Sequence, residues 1–315
     1  MTTLPQHPSE GTERERPTLV VARVSRTLAA AGVAAPRAEA EQLAAHVLGV
    51  PRGRLALADG FTPAQRDRLD ALVRRRVGRE PLQHLTGVAG FRFLELAVGA
   101  GVFVPRPETE LLAGWGVEQA RARDAPLVVD LCSGSGAIAL AVAHEVPSAR
   151  VVAVERSPAA LTWLRRNAAA RAAAGDRPIE VVVADVTDPR LLADLVGRVD
   201  VLLCNPPYVP RSVAVPPEVA GHDPDEAVFG GADGLAVLRP VVTRAAALLH
   251  PGGVLGVEHD DTHATAVPDL LADDGRYQRV EEHRDLVGRP RWATASRRAD
   301  GTHADRASAW QTDSS

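Results

Sequence analysis

The sequence predicts an α/β protein whose main part is a largely parallel sheet with helices on both faces, preceded by a small helical domain and a linking β-hairpin. Three observations carry this expectation. From Pro126 onward, short apolar runs alternate with amphipathic stretches, as successive βα units require. From Thr18 to about Gly78, apolar residues instead recur at three- and four-residue spacing. Between these regions, Phe91 to Val104 alternates apolar and polar residues with glycine punctuation.

The helical part divides into "LVVARVSRTLAAAG", "PRAEAEQLAAHVLG" and "TPAQRDRLDALVRRRVG", each with a glycine near its end. Thr62 before Pro63 reads as an N-cap followed by proline at the first helical position. The Phe91–Val104 stretch reads as the hairpin. "PETELLAGWGVEQARA" then opens a helix with acidic residues in its first turn.

Five strands are predicted next: Leu127–Leu131, Arg150–Glu155, Ile179–Asp185, Val199–Asn205 and Gly253–His259. Helices are expected in "GAIALAVAHEV", "SPAALTWLRRNAAARAAA", a short "PRLLADLV" and "GLAVLRPVVTRAAALL". "RYQRVEEHRD" and "RPRWATASR" read as a closing antiparallel pair.

Composition narrows the function classes. The chain has 315 residues, 45% hydrophobic and 24% charged, which suits a globular protein with a sizeable core. No apolar run is long enough to span a bilayer. The polar opening "MTTLPQHPSEGTERERP" lacks an apolar signal core, so a disordered lead-in to a cytoplasmic protein is expected. Two cysteines cannot make a disulfide framework. The net charge of −4 argues against wholesale nucleic-acid binding, and 3% aromatics are too few for an extended base-stacking surface. Every basic residue is arginine, so arginine content by itself says little about phosphate recognition.

"VVDLCSGSGAIALAVA" follows a strand and opens a helix, the setting of a nucleotide-binding loop. Gly134 and Gly136 let a ligand approach the backbone, and Ala139 is small where a third small residue belongs. Glu155 ends the second strand, placed to accept hydrogen bonds from ribose hydroxyls. These features suit NAD as well as S-adenosylmethionine. Asp185 closes the third strand, either to meet an adenine amino group or to cap the turn in "DVTDP".

The fourth strand stops abruptly at Asn205, Pro206, Pro207 and Tyr208. Two prolines remove two backbone donors and fix two φ angles, so sheet pairing must end there. Dehydrogenases need no such group, whereas methyl transfer to a planar nitrogen does. That nitrogen's lone pair is delocalised, so it must be held with the lone pair aimed at a sulfonium methyl. The Asn205 side-chain oxygen and the Pro206 carbonyl are two acceptors for its N–H bonds, and Tyr208 can cover its face.

These motifs resemble the release factor glutamine methyltransferases, the PrmC/HemK family. The likeness runs from about Thr18 to Ser296 and includes "REPLQHLTG", "FVPRPETELL", "DLCSGSGAIALA", "CNPPYVP", "HDPDEAVFGGADGL", "LLHPGGVLGVEH" and "DLVGRPRWATA". Asn-Pro-Pro-Tyr alone is shared with DNA and RNA adenine methyltransferases; joined to Pro105–Glu110 and a helical N-terminal domain it is far more specific. The resemblance implies a Rossmann-like class I S-adenosylmethionine-dependent methyltransferase fold with a mixed seven-stranded sheet. It further implies a methyl donor, S-adenosyl-L-methionine, with S-adenosyl-L-homocysteine as product.

The implied target is the glutamine of the Gly-Gly-Gln loop in class-1 peptide chain release factors, with no membrane and no stable nucleic-acid partner. By motif, Asn205, Pro206, Pro207 and Tyr208 are the implied catalytic group. Cys132, Ser133, Gly134, Ser135, Gly136, Glu155, Asp185, Val186 and Asn205 are implied to bind the cofactor. Phe103, Arg106, Pro107, Glu108 and Thr109 are implied to bind substrate together with Asn205–Tyr208. The Pro105–Glu110 segment also stiffens an interdomain connection and starts a helix.

The matching organisation is a lead-in over 1–17, a helical substrate-recognition domain over 18–85, a hairpin linker over 86–107, a catalytic domain over 108–298 and a loose tail over 299–315. The chain departs from the common pattern at Glu155, where aspartate is more frequent, at Cys132, where glycine is frequent, and in "EHDDTH" after the fifth strand. None of these removes an implied catalytic group. A ribosomal-protein glutamine, an adenine N6 position in nucleic acid and a non-catalytic nucleoside-binding scaffold are the competing readings.

Three further features read as structural. His259, Asp260, Asp261 and His263 lack an additional ligand pair, so capping and solvation are expected and no metal is required. Cys204 reads as a small core residue. Arg74–Glu80, "RRRVGRE", reads as a solvated helix end.

Overall fold

The computed structural model describes residues 14–299. Most of the expected lead-in and tail therefore lies outside the described residues. The chain divides into two compact units at Gly87/Val88.

In the first unit the three helical patterns become α1 (Pro17–Ala30), α2 (Pro36–Leu48) and α3 (Pro63–Val77), followed by a short α4 (Leu82–Thr86). Val20, Val24 and Leu28 of α1, Leu43 and Val47 of α2, and Leu69 and Val73 of α3 form one buried cluster around Phe61. Thr62 caps α3 reciprocally: its hydroxyl accepts from Gln65 N at 3.3 Å, and its own N–H donates to Gln65 Oε1 at 2.9 Å. Two expectations change here. Glu15, read as lead-in, exchanges backbone hydrogen bonds with Phe61 at 3.1 and 2.9 Å. Arg76 is not solvated: it is 4% exposed and pairs with Glu39, since a buried guanidinium is costly unless it is paired.

The second unit opens with the hairpin β1 (Val88–Phe91) and β2 (Leu94–Ala97), shorter and earlier than predicted. Residues 98–104 carry no strand; Val98, Val102 and Val104 are buried instead against Ala89 and Ala160. After α5 (Thr109–Arg121) come β3 (Leu127–Leu131), α6 (Ala137–Glu145), β4 (Arg150–Glu155), α7 (Pro158–Ala173), β5 (Glu180–Val183) and β6 (Val199–Cys204). The remainder is α8 (Pro217–His222), α9 (Asp225–Val228), α10 (Leu238–Leu248), β7 (Leu249–Glu258), α11 (Ala266–Asp273), β8 (Tyr277–Arg284) and β9 (Pro290–Arg297).

The sheet order is β5-β4-β3-β6-β7-β9-β8. β3 to β7 run parallel, and β9 pairs antiparallel with both β7 and β8. This is the mixed seven-stranded sheet of class I methyltransferases. β5 ends at Val183, two residues before Asp185, and the expected helix in "PRLLADLV" is only a turn of 3₁₀ helix, Ala193–Leu195. Strand residues alternate between faces. Val128, Val151, Ala153, Val201 and Leu203 pack under α5, α6 and α7. Val129, Val152, Leu202, Leu255 and Ala293 pack under α10 and α11. The chain moves outward from β3 through β4 to β5, then returns to start β6 on β3's other side. The carboxyl ends of β3 and β6 thus flank the point where strand order reverses, where open α/β sheets leave a crevice.

Candidate active site

The crevice is a cavity of about 550 Å³. Its wall includes Cys132–Ser135 after β3, Glu155 at the end of β4, Asp185 and Val186 beyond β5, and Asn205–Tyr208 after β6. Phe103, Arg106 and Thr109 reach it from the segment that leads into α5. Pro107 and Glu108 do not; both are exposed at the turn that begins the helix. Gly136 is not part of the wall either. At φ +88° it starts α6, and a side chain there would run into Leu140 and Leu164. It is a packing glycine.

Gly134 takes φ +56°, and a Cβ built on it meets nothing within 4 Å, so the loop leaves open space on its cavity side. Cys132 takes φ +59°, a left-handed conformation that costs a non-glycine residue about 1 kcal/mol. The loop is held by backbone: Ser133 N donates to Val154 O at 3.0 Å, and the Ser133 hydroxyl donates to Asp130 O at 2.9 Å. Buried Asn167 bridges Ser135 O and both backbone groups of Ala97 at 2.8–3.0 Å, which ties the loop to β2.

Glu155 is 9% exposed and holds three backbone amides. Gly134 N donates to Oε2 at 2.9 Å, and Arg156 N and Ser157 N donate to Oε1 at 2.8 and 2.7 Å. Each carboxylate oxygen can take two donors, so Oε2 keeps one acceptor position. Of the two roles left open for Asp185, the structure shows the turn cap. Its Oδ1 accepts from Thr187 N and Oγ1, closing the turn, while Oδ2 pairs with Arg156 at 2.9 Å on the cavity wall. Burial works to raise its carboxyl, but the Thr187 and Arg156 bonds outweigh it and hold it low.

Asp130, in β3, was not singled out in the sequence. It is 1% exposed; Oδ2 accepts from Ala139 N at 3.1 Å, and Oδ1 is buried on the cavity wall without a partner. Burial pushes its carboxyl up to about 7. A buried carboxylate oxygen left unpaired is costly unless a cation meets it.

On the β6 side, Asn205 Nδ2 donates to Thr109 Oγ1 at 3.1 Å. Among the described residues no donor reaches Asn205 Oδ1 or the Pro206 carbonyl, so both acceptors stay available. After the two prolines the chain pairs with a new partner: Val209 N donates to Val228 O, and Gly230 N to Val209 O, each at 3.0 Å. The Tyr208 hydroxyl donates to Glu258 Oε1 at 2.9 Å. Burial and the neighbouring Glu258 carboxylate both push the Tyr208 phenol up, so it stays protonated.

Arg106 stacks on Phe103 at 4.6 Å and pairs with buried Asp223 at 2.6 Å, which joins the Phe103–Arg106 wall to the segment after Tyr208. Asp130, Asp223 and Glu258 lie within the quoted motifs, but nothing in the sequence tells which partners they meet. They owe their positions to contacts 9 to 117 residues away.

The "EHDDTH" residues are occupied by protein. His259 Nε2 meets Glu282 at 2.9 Å, Asp260 caps Thr262 N at 3.0 Å, and His263 Nε2 meets Asp233 O at 2.9 Å. Among the described residues there is no cluster able to hold a metal ion. Nor is any of their helices long and apolar enough to cross a membrane.

Comparison with known proteins agrees with this geometry. Residues 20–87 match the PrmC N-terminal domain, and residues 111–219 match the methyltransferase small domain. A release factor glutamine methyltransferase of Mycolicibacterium smegmatis is 53% identical over 271 residues, which is 86% of this chain and 94% of that protein. Proteins of the same name from Streptomyces coelicolor and Mycobacterium tuberculosis are 48% and 46% identical, covering 87% and 86% of this chain and 96% and 88% of their own. With the seven-stranded sheet and the Asn205–Tyr208 corner at its switch point, this chain belongs to the release factor glutamine methyltransferase family.

Proposed function

We propose that this protein transfers a methyl group from S-adenosylmethionine to the side-chain amide nitrogen of the glutamine in the Gly-Gly-Gln loop of class-1 peptide chain release factors. The observation that carries this reading is the Asn205 amide: its nitrogen is spent on Thr109, so its oxygen faces the cavity beside the unpaired Pro206 carbonyl. Two fixed acceptors side by side suit the two N–H bonds of a primary amide. The relatives' names support the same substrate.

The cavity residues also fit the donor. The unpaired Asp130 Oδ1 suits its ammonium group, the spare Oε2 position on Glu155 suits a ribose hydroxyl, and the open face of Gly134 admits its chain. Bound there, S-adenosylmethionine supplies a sulfonium methyl and leaves as S-adenosylhomocysteine. The protein's part is positional. Asn205 Oδ1 and the Pro206 carbonyl take the amide hydrogens and turn the nitrogen lone pair toward the methyl, while Tyr208 covers the planar group. Both acceptors also favour the positive charge that develops on nitrogen as the bond forms. A nitrogen-protonated amide is a strong acid, so the final proton loss to water needs no dedicated base.

The test is transfer of labelled methyl from S-adenosylmethionine to a release factor, a ribosomal protein and nucleic acid in separate reactions. Label on the release factor glutamine is expected, and substitution of that glutamine abolishes it. Label confined to ribosomal protein or to adenine in nucleic acid overturns the reading.

A further inference from the structure

The turn between β8 and β9 carries two apolar side chains in water: Leu286 is 89% exposed and Val287 74%. A lone exposed leucine is ordinary at a protein surface. This pair, however, is held in place by a built turn. Asp285 is buried, and its Oδ1 accepts from Val287 N at 3.0 Å and from Arg289 N at 2.9 Å. Its own N–H donates to Arg289 O at 2.8 Å, and Gly288 N donates to Asp285 O at 3.0 Å. Gly288 takes φ +84°, which glycine adopts without strain.

Topology places this turn beside the cavity. β9 runs antiparallel to β7, so its first residues lie at the carboxyl edge of the parallel strands, where the crevice opens. Trp292 pairs with Glu258, which holds Tyr208, and His259 N donates to Arg291 O at 2.9 Å. Arg289 and Arg291 both line the cavity. Arg289 is exposed. The Arg291 side chain is 14% exposed, its Nε is buried without a partner, and it meets the Asp285 carboxylate only at 3.9 Å, beyond hydrogen-bond reach. A guanidinium has five N–H donors and no acceptor, so a largely buried one with donors unspent favours an acceptor in the cavity.

The position of Arg291 indicates what that acceptor is. β9 stands three strands from β3, about 14 Å across the sheet, which separates Arg291 from the loop proposed for the cofactor. Beside Asn205 and Tyr208, the incoming group is the substrate glutamine with the chain on either side of it. In Gly-Gly-Gln the two residues before the glutamine have no side chains, so their carbonyls are all they can offer a donor. One glutamine also buries far less than the roughly 800 Å² per partner of a specific protein interface, so contacts outside the cavity are required.

Resting on the substrate reading above, we propose that the β8–β9 turn is a docking surface for the release factor segment that carries the glutamine. Arg291 and Arg289 donate to its backbone carbonyls, and an apolar patch beside the Gly-Gly-Gln loop covers Leu286 and Val287. The turn binds the polypeptide, while Asn205–Tyr208 holds the amide.

The test measures methyl transfer to a release factor and, separately, calorimetric affinity of the release factor for the full chain loaded with S-adenosylhomocysteine. Arg291→Met keeps the apolar stem and removes the donors; KM and Kd are expected to rise about 10- to 100-fold, as for loss of a hydrogen bond from a charged group. Leu286→Ser/Val287→Ser is expected to raise both at least about fivefold, as for loss of one buried apolar side chain. In that double variant kcat at saturating release factor falls less than about threefold, because binding and not the transition state has lost a contact. Its melting temperature is unchanged, since both side chains stand in water in the free protein.

Wild-type KM and Kd in the Leu286→Ser/Val287→Ser variant, or in a folded Arg291→Met, overturn the proposal. If Arg291→Met melts early, Arg289→Met at the exposed rim takes its place, and wild-type values there overturn it equally. Failure of the wild-type protein to label the release factor overturns the reading of the reaction instead. Where another protein takes the label, the same variants are read on that protein, and unchanged values overturn the docking surface.

Discussion

The two halves of the cavity are built by opposite means. On the β3–β4 side backbone groups do most of the holding: Glu155 takes three backbone amides, Ser133 bonds the carbonyls of Val154 and Asp130, and the Asn167 side chain ties Ser135 to β2. On the β6 side the polar groups are held by side chains from elsewhere, Asn205 by Thr109 and Tyr208 by Glu258, across 96 and 50 residues. A site held by backbone needs only a local run of the right residues. A site held by side chains depends on partners that the fold alone brings together. The first half is thus expected to tolerate substitution around it better than the second.

This contrast can be broken by experiment, most sharply at Asn205. Asn205→Ala is expected to lower methyl transfer by about 10²–10³, in line with loss of one fixed dipole at a reacting centre, while cofactor affinity is largely kept. Labelled transfer and calorimetry on the same protein measure both. Wild-type turnover would show that the amide is not held there; equal loss of cofactor binding would show that the halves are one unit.

A smaller effect sharpens the cofactor half. Asp130 has its carboxyl raised from 3.8 to about 7 in the cofactor-free protein. Between those values the folded state binds more protons than the unfolded one, so stability falls as pH rises from about 4 to about 7. A cation at Oδ1 favours the carboxylate, so cofactor binding releases a proton below pH 7. Affinity for S-adenosylmethionine should therefore climb by up to about tenfold per unit as pH rises toward 7, then level off. Calorimetry across pH 5.5–8.5, taken as a working range of about three units around that value, checks it. Asp130→Asn is expected to flatten the profile, and an unchanged slope in that variant would remove Asp130 from the ammonium site.

The smallest effect is at Cys132. Cys132→Gly relieves the left-handed strain but frees the unfolded chain, two terms of about 1 kcal/mol that oppose each other. Thermal melting is expected to shift by less than about 1 kcal/mol in either direction, with cofactor affinity retained. A large loss would mean that the Cys132 side chain, not only the backbone there, supports the loop.

The sequence by itself determined what depends on neighbours along the chain. Apolar runs set β3, β4 and β6 almost to the residue, because a strand covered by helices on both faces is mostly apolar. Thr62 before Pro63 announced a helix start because the cap and the helix it opens are neighbours along the chain. The glycine loop, Glu155 and Asn205–Tyr208 were legible for the same reason: a turn, a strand end and a double proline each act on the backbone where they stand. Only the tertiary structure decided the rest. The hairpin closed at Val88–Ala97, because residues 98–104 found burial against Ala160 instead of a third strand. Arg76 left the solvent for Glu39, and Gly136 turned out to serve Leu164, not the cavity. The polar partners of Asn205 and Tyr208 came from the start of α5 and the end of β7. Nothing in the spacing along the chain tells that Glu258 meets Tyr208 50 residues away; only burial in the folded sheet brings the two together.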